Sequence, residues 1–428
     1  MRDNKITVSL KKMNLPLGTV INFFHLSTIQ VSNALLQILL FPVIIHVVGL
    51  VEFGHVMVAN SYAGLLGIFI NYGTNQSGIK DIALCQNSPP QLSEKFYSVF
   101  YIRVLLFVLS LSVIPCLHWF GVPDLHYFVF ANALIFAEVL NPIFFFIGIE
   151  KLLIYNIANF ISKLLSILLI IFFIKHTNDS YLVNFYLGII NVFIYLILFM
   201  YAIKKYNISF HLPKLVSLWH FIRENFYLVG NNISVHLQQS IFLFALSSTG
   251  NTLALGAYAL CDKIIWAFRL IIISFSSAIY PRCTILFKEE YTTWVRYKKN
   301  INRTIWIIFL LSAVVSLTVP SLIVKIFTGV DNSLSSSYVR TVAFVPLVIA
   351  LNSLNLLELL IRNKYAAIFR VSLVILVISA LVSFLFLQLN NTSYFAFYPM
   401  VVETACLLLY LAYLKKNPHN PADSLQNS

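Results

Sequence analysis

Charge is what this sequence has least of. Asp, Glu, Lys and Arg make up 11% of its 428 residues, where a soluble domain carries about 25%. Apolar residues fill 59%, and the mean hydropathy is +0.84. A soluble globular fold is therefore excluded. Cysteine is scarce too: Cys85, Cys116, Cys261, Cys283 and Cys406 are odd in number and show no C-x-x-C pair. They indicate neither a disulfide framework nor a zinc site, and they read as small apolar packers; no metal and no cofactor is expected. The chain also lacks a G-x-x-x-x-G-K-[ST] loop, an H-E-x-x-H pair, a G-x-S-x-G elbow and a dinucleotide fingerprint. ATP hydrolysis by this chain is not expected, and no enzymatic nucleophile is visible. The ten His are dispersed, and a lone one such as His236 reads as a hydrogen-bonded packer.

What fills the chain is a series of long apolar runs. A membrane crossing takes roughly 20 mostly apolar residues, and runs of that order lie at 17–45, 53–70, 96–120, 126–149, 152–174 and 181–203. Six more follow at 221–247, 253–279, 304–327, 338–361, 366–387 and 394–414. The expected fold class is an all-α polytopic membrane protein with about twelve transmembrane helices in two six-helix halves around a central cavity. The expected divisions are a cytoplasmic tail (1–16), a first half (17–203), a cytoplasmic linker (204–220), a second half (221–414) and a cytoplasmic tail (415–428). Twelve crossings put both termini on one side. About 21 of the 29 Lys and Arg residues fall on that side, and the opposite loops hold only Lys175. The positive-inside rule then puts the termini in the cytoplasm, and this use of the +13 net charge removes the need for a nucleic-acid partner. Loops on the other side are too short for a catalytic domain, which favours a mover of molecules over a glycan polymerase.

The first and seventh spans share a spacing. Gln30, Asn33 and Gln37 fall at i, i+3 and i+7, with Gly49 twelve residues after Gln37; Asn231, Ser234 and Gln238 repeat the pattern, with Gly250 twelve after Gln238. Gly54 and Gly256 then follow at nearly the same distance. Each set is a stripe on one helical face, and the copies, separated by an even number of spans, have the same orientation. Amides facing lipid would go unsatisfied, so the stripes are expected either to join neighbouring helices or, as the two matched copies favour, to line a central polar cavity.

Ionisable side chains within spans are costly and tend to be paired or functional. Here they are Lys163, Asp262, Lys263, Arg269, Glu138 and Glu403, with Arg103, Arg370, Glu358, Lys325 and Arg340 nearer the span ends. Two readings compete. In one, Glu138 with Lys163, and Asp262 with Arg269 or Lys263, are structural pairs. In the other, cations from both halves receive an anionic substrate while Glu138, Asp262 or Glu403 carries a coupling proton.

The segments Pro42–Gly54 (PVIIHVVGLVEFG), Asn71-Tyr72-Gly73, Pro142–Lys151 (PIFFFIGIEK), Gly256-Ala257-Tyr258 with Asp262-Lys263, and Pro281 resemble signatures of the O-antigen flippases of the Wzx type, within the multidrug/oligosaccharidyl-lipid/polysaccharide exporter superfamily. The resemblance implies a bacterial inner-membrane transporter. Its substrate would be an undecaprenyl-diphosphate-linked oligosaccharide, moved to the periplasmic leaflet by alternating access coupled to an ion gradient. On that reading Arg103, Lys163, Lys263, Arg269 and Arg370 would meet the diphosphate. Gln30, Asn33, Gln37, Asn231, Ser234 and Gln238 would meet sugar hydroxyls. Membrane lipids, a polysaccharide polymerase and a chain-length regulator are the implied partners. The alternatives are a cation-coupled multidrug exporter of the same superfamily and, less favoured, a membrane glycan polymerase.

Overall fold

Hydrocarbon offers the backbone no hydrogen-bond partner, so a chain this apolar must satisfy its N–H and C=O groups internally, and it does so as helix. The computed structural model describes the backbone over 17–212, 215–289, 291–389 and 391–417. Side chains are described from 36 onward within those ranges, except 37, 215–218, 220, 277, 278, 281, 288 and 289. Gln30, Asn33 and Gln37 thus lie outside the described side chains.

Helix Leu17–Asn71 is broken at Gly49 (φ 82°, ψ 163°) into α1 (17–48) and α2 (50–71). That backbone region is open essentially to glycine alone. Gly250, its counterpart in the repeat, also has a positive φ of 72°. The first half continues with α3 (Ser77–Cys85), α4 (Pro89–Ser110), α5 (Val113–Trp119), α6 (Leu125–Leu140), α7 (Ile143–Gly148), α8 (Leu152–Phe173) and α9 (Leu182–Lys205). The second half comprises α10 (Leu215–Ser247), α11 (Thr252–Glu289), α12 (Tyr291–Thr318), α13 (Pro320–Thr328), α14 (Ser333–Thr341), α15 (Val345–Ile361), α16 (Tyr365–Gln388) and α17 (Tyr398–Lys416). Four of the expected spans are each split in two, three of them beside a proline. Asn141 is extended before Pro142, between α6 and α7, as pre-proline residues prefer. Pro320 opens α13, and Pro346 lies in the first turn of α15.

Several helices outrun their apolar runs. α11 reaches Glu289, α12 begins at Tyr291 and α10 begins at Leu215 inside the expected linker. Lys, Arg and Glu are good helix formers, so the helix continues after the hydrocarbon ends. Among the described residues nine helical segments are long and apolar enough to cross a membrane. α10 and α11, which carry the polar stripe and Asp262, Lys263 and Arg269, are not among them. The chain is a multi-pass membrane protein.

Within the first half α6 packs on α9 and α2; within the second, α10 packs on α16 and α15 on α17 and α11. The halves meet where α1 and α2 lie against α10 and α11. The end of the bundle that carries Lys205, Leu215 and Lys416 is called the terminal end below, and the opposite end, with Gly49 and Gly250, the far end.

Candidate functional site

Four polar centres stand out against the apolar interior. In the first half, Arg103 on α4 is fully buried. Its Nε donates to Thr74 Oγ1 (3.1 Å), Nη1 to the carbonyls of Glu138 (3.2 Å) and Asn141 (2.5 Å), and Nη2 to Thr74 Oγ1 (2.6 Å) and Asn75 Oδ1 (3.2 Å). The Phe144 ring lies 5.0 Å from the guanidinium. A guanidinium has five N–H donors, and all five are engaged. The Glu138 carboxylate accepts from Asn71 (2.8 Å) and Asn141 (3.1 Å). The segments Asn71–Gly73 and Pro142–Lys151, distant in sequence, thus belong to one joint that fixes the terminal ends of α2 and α6 against the body of α4. This corrects the expectation that Arg103 is a headgroup ligand: it has no donor left to offer. Snorkelling at a span end does not describe it either.

In the second half, Lys263 pairs with Asp262 at 3.1 Å, and Arg269 pairs with Glu403 of α17 at 2.5 Å. Asn352 of α15 donates to both Glu403 Oε2 and its carbonyl, each at 3.0 Å. Gln238, Asp262, Arg269, Tyr258, Tyr398 and Glu403 line a cavity of about 20 Å³, room for about one water and far too small for a diphosphate or a sugar as it stands. Of the pairings weighed for Asp262, the one formed is with its sequence neighbour; Arg269 reaches across to another helix.

The same face of α11 continues toward the terminal end. Asp262, Arg269, Ile273, Ser276 and Tyr280 recur at helical spacing, and the last three, with Ser353, Leu356, Leu357 and Leu360 of α15, line an apolar cavity of about 380 Å³. That lies within the roughly 300–1,000 Å³ of small-molecule pockets. Its two serines bond one another at 3.3 Å, so the wall is apolar in effect.

The stripe on α10 makes hydrogen bonds within its own half. Asn231 Oδ1 accepts from Ser372 of α16 (3.0 Å), Ser234 donates to the Gly230 carbonyl of its own helix (2.7 Å), and the Gln238 carbonyl accepts from Tyr398 (2.7 Å). The Asn231 oxygen and the Ser234 hydroxyl are thus engaged within the half, while the Gln238 side chain lines the small charged cavity. A neighbouring helix satisfies a polar side chain in lipid as well as a wet cavity does. Lys163 is half-buried on α8 and Arg370 is exposed near the start of α16.

Sequence reasoning passed over two clusters. At the terminal end Glu358 is buried between Lys298 (2.5 Å) and Arg362; it had read as a residue near a span end. At the far end Glu52 accepts from Tyr127 (2.5 Å) and Ser180 (3.1 Å). Glu52 sits between Gly49 and Gly54 and so read as loop, whereas α2 already includes it. His236 is the packer expected of it: Nε2 lies 2.9 Å from the Ser61 carbonyl of α2, a hydrogen bond between the halves.

A family profile described as "Polysaccharide biosynthesis protein" matches residues 20–287, more than half of the chain. The chain belongs to the polysaccharide biosynthesis protein family. The matched stretch of this family member runs through the first half to the end of α11. Two curated relatives, each named "Putative O-antigen transporter", are 25% identical over 169 residues (Escherichia coli strain K12) and 24% identical over 161 residues (Shigella dysenteriae). The matches cover 38% and 37% of this chain and span 40% of each relative's length. Among solved structures, an inward-facing multidrug resistance MATE family transporter of the MOP superfamily superposes with a TM-score of 0.69 at 12% identity, covering 92% of this chain and all of that one. A MATE structure in the bent conformation gives 0.61 at 14% identity, with 95% and 96% covered. At such identities the likeness is one of fold: two helical halves facing each other.

Proposed function

We propose that this protein moves a lipid-linked oligosaccharide, of the O-antigen repeat-unit kind on an undecaprenyl diphosphate carrier, from the cytoplasmic to the periplasmic leaflet of a bacterial inner membrane. The observation that carries this reading is the face of α11, which runs from the charged Asp262–Arg269 segment into the apolar cavity beside α15. An amphipathic substrate has that division: a diphosphate needs compensating cations to leave water, and a polyprenyl chain needs an apolar wall. Membership in a polysaccharide biosynthesis family, on a fold shared with exporters, supports movement of such a substrate over its synthesis.

In this account the terminal end is cytoplasmic. The diphosphate is met by cations that retain exposed surface, namely Lys163, Arg269 and Arg370, with Lys263 and the Gln238 amide behind them, and the prenyl chain follows the α11–α15 cavity. Because the charged end of the α11 face is closed to about 20 Å³, the headgroup passes only when the helices around it part, as alternating access requires. Asp262, which lines that closed cavity, is the coupling acid of the account; Glu403 is held by Arg269 and Asn352. A polymerase and a chain-length regulator would act on the product.

The test is deletion of the gene with the glycosyltransferases intact, followed by an assay of the sidedness and amount of diphosphate-linked oligosaccharide. Accumulation on the cytoplasmic face with loss of surface glycan, restored by the intact gene, is expected. Unchanged intermediate and glycan, with increased drug sensitivity, would favour export of multidrug type.

A further inference from the structure

Two glycines that occupy matching places in the internal repeat touch each other. Gly54 lies in the first turns of α2 and Gly256 in the first turns of α11, both at the far end. A Cβ placed on Gly256 would lie 2.2 Å from the Leu50 carbonyl oxygen, and one placed on Gly54 would lie 2.9 Å from the Gly256 nitrogen. Real Cβ contacts are essentially never shorter than 3.0 Å. Elsewhere along the seam a glycine of one half receives a side chain of the other. A Cβ on Gly64 would lie 2.9 Å from the His236 ring, one on Gly73 2.8 Å from the Asn225 amide oxygen and, again at the far end, one on Gly329 2.8 Å from the His46 ring. Those side chains can turn away. Between Gly54 and Gly256 backbone meets backbone, and no rotamer change relieves a clash there.

We infer that the Gly54–Gly256 contact is the far-end gate of the transporter: the halves close that end backbone to backbone, and a side chain at either glycine props it open. Packed interfaces switch between discrete arrangements and do not deform smoothly. A methyl at 256 needs about 1 Å of separation merely to bring 2.2 Å out beyond 3.0 Å, so it shifts the population toward the state open at the far end. This rests on the two-half transporter reading and not on the identity of the cargo.

The test uses spin labels on the full chain with its five cysteines replaced by alanine, purified and without substrate. One pair, Trp119→Cys and Leu389→Cys, reports the far end; another, Lys204→Cys and Lys415→Cys, reports the terminal end, all at exposed positions. Gly256→Leu is expected to lengthen the far-end distance and shorten the terminal-end one, with Gly256→Ala and Gly54→Ala intermediate. Leu253→Ala, at an exposed position in the first turn of the same helix as Gly256, is expected to leave both unchanged. Monodisperse Gly256→Leu with both distances unaltered would overturn the gate, as would an equal shift in Leu253→Ala. If Gly256→Leu does not fold, the two alanine variants decide by the same criteria; if they also fail to fold, the contact is a packing requirement and the gate is overturned. Because no substrate is present, the result is independent of whether the cargo is a lipid-linked oligosaccharide.

Discussion

Replacing Arg103 separates a structural role from a substrate-binding one. Arg103→Ala removes five hydrogen bonds and strands the Asn141 and Glu138 carbonyls, Thr74 and Asn75 in a buried joint. A buried polar group left without a partner costs about 1–3 kcal/mol, and breaking a buried charged network typically costs about 3–5 kcal/mol in all. Taking the latter for the joint, and about 2–4 °C per kcal/mol for a unit of some 200 residues, the melting temperature falls by on the order of 10 °C. Arg103→Lys keeps the charge but not the fork that reaches Thr74 and two carbonyls together, so it rescues little. Arg370→Ala, at an exposed position, should stay within about 0.5 kcal/mol of the parent. The assay is thermal unfolding of detergent-solubilised protein followed by size-exclusion fluorescence, with surface glycan measured in parallel. Arg103→Ala with unchanged melting and lost glycan export would refute the reasoning and return Arg103 to the substrate.

Other consequences are open to direct measurement. Glu403→Gln leaves Arg269 without its counter-charge, and a double-mutant cycle with Arg269→Gln should give a coupling of about 1–3 kcal/mol in melting experiments, the double variant being more stable than Glu403→Gln alone. Glu358→Ala leaves Lys298 and Arg362 facing each other without the carboxylate that joins them; it should destabilise by about 3–5 kcal/mol, with Glu358→Gln costing less. Lys163→Ala is expected to reduce translocation while protein levels stay normal. Full activity in both Lys163→Ala and Arg269→Ala would remove these cations from the headgroup path.

The crossings were legible because hydrocarbon leaves the backbone no alternative to helix, and the turns because Gly49 and Gly250 adopt conformations that favour glycine. Helix ends were less legible where Lys, Arg and Glu carry α11 and α12 past the membrane. Among the charges, Asp262 and Lys263 adjoin in sequence and their pairing was foreseeable. Arg269 and Glu403 lie 134 residues apart, and nothing local selects one acid over another at that distance. The i, i+3, i+7 spacing of Asn231, Ser234 and Gln238 defines a face but not the neighbour opposite it, and only the assembled fold brings Ser372 of α16 to Asn231. Arg103 was misread for the same reason: its partners come from the ends of two other helices, and only the assembled joint shows that every donor is engaged.

The most direct measurement is translocation by the purified protein. Reconstituted into vesicles carrying undecaprenyl-diphosphate-linked oligosaccharide, it should move the lipid between leaflets, read as an increase in the glycan fraction open to an added glycosidase. Vesicles bearing Gly256→Leu should fall well below the parent. Equal glycosidase access with and without protein, under an imposed ion gradient of either direction, would contradict the account.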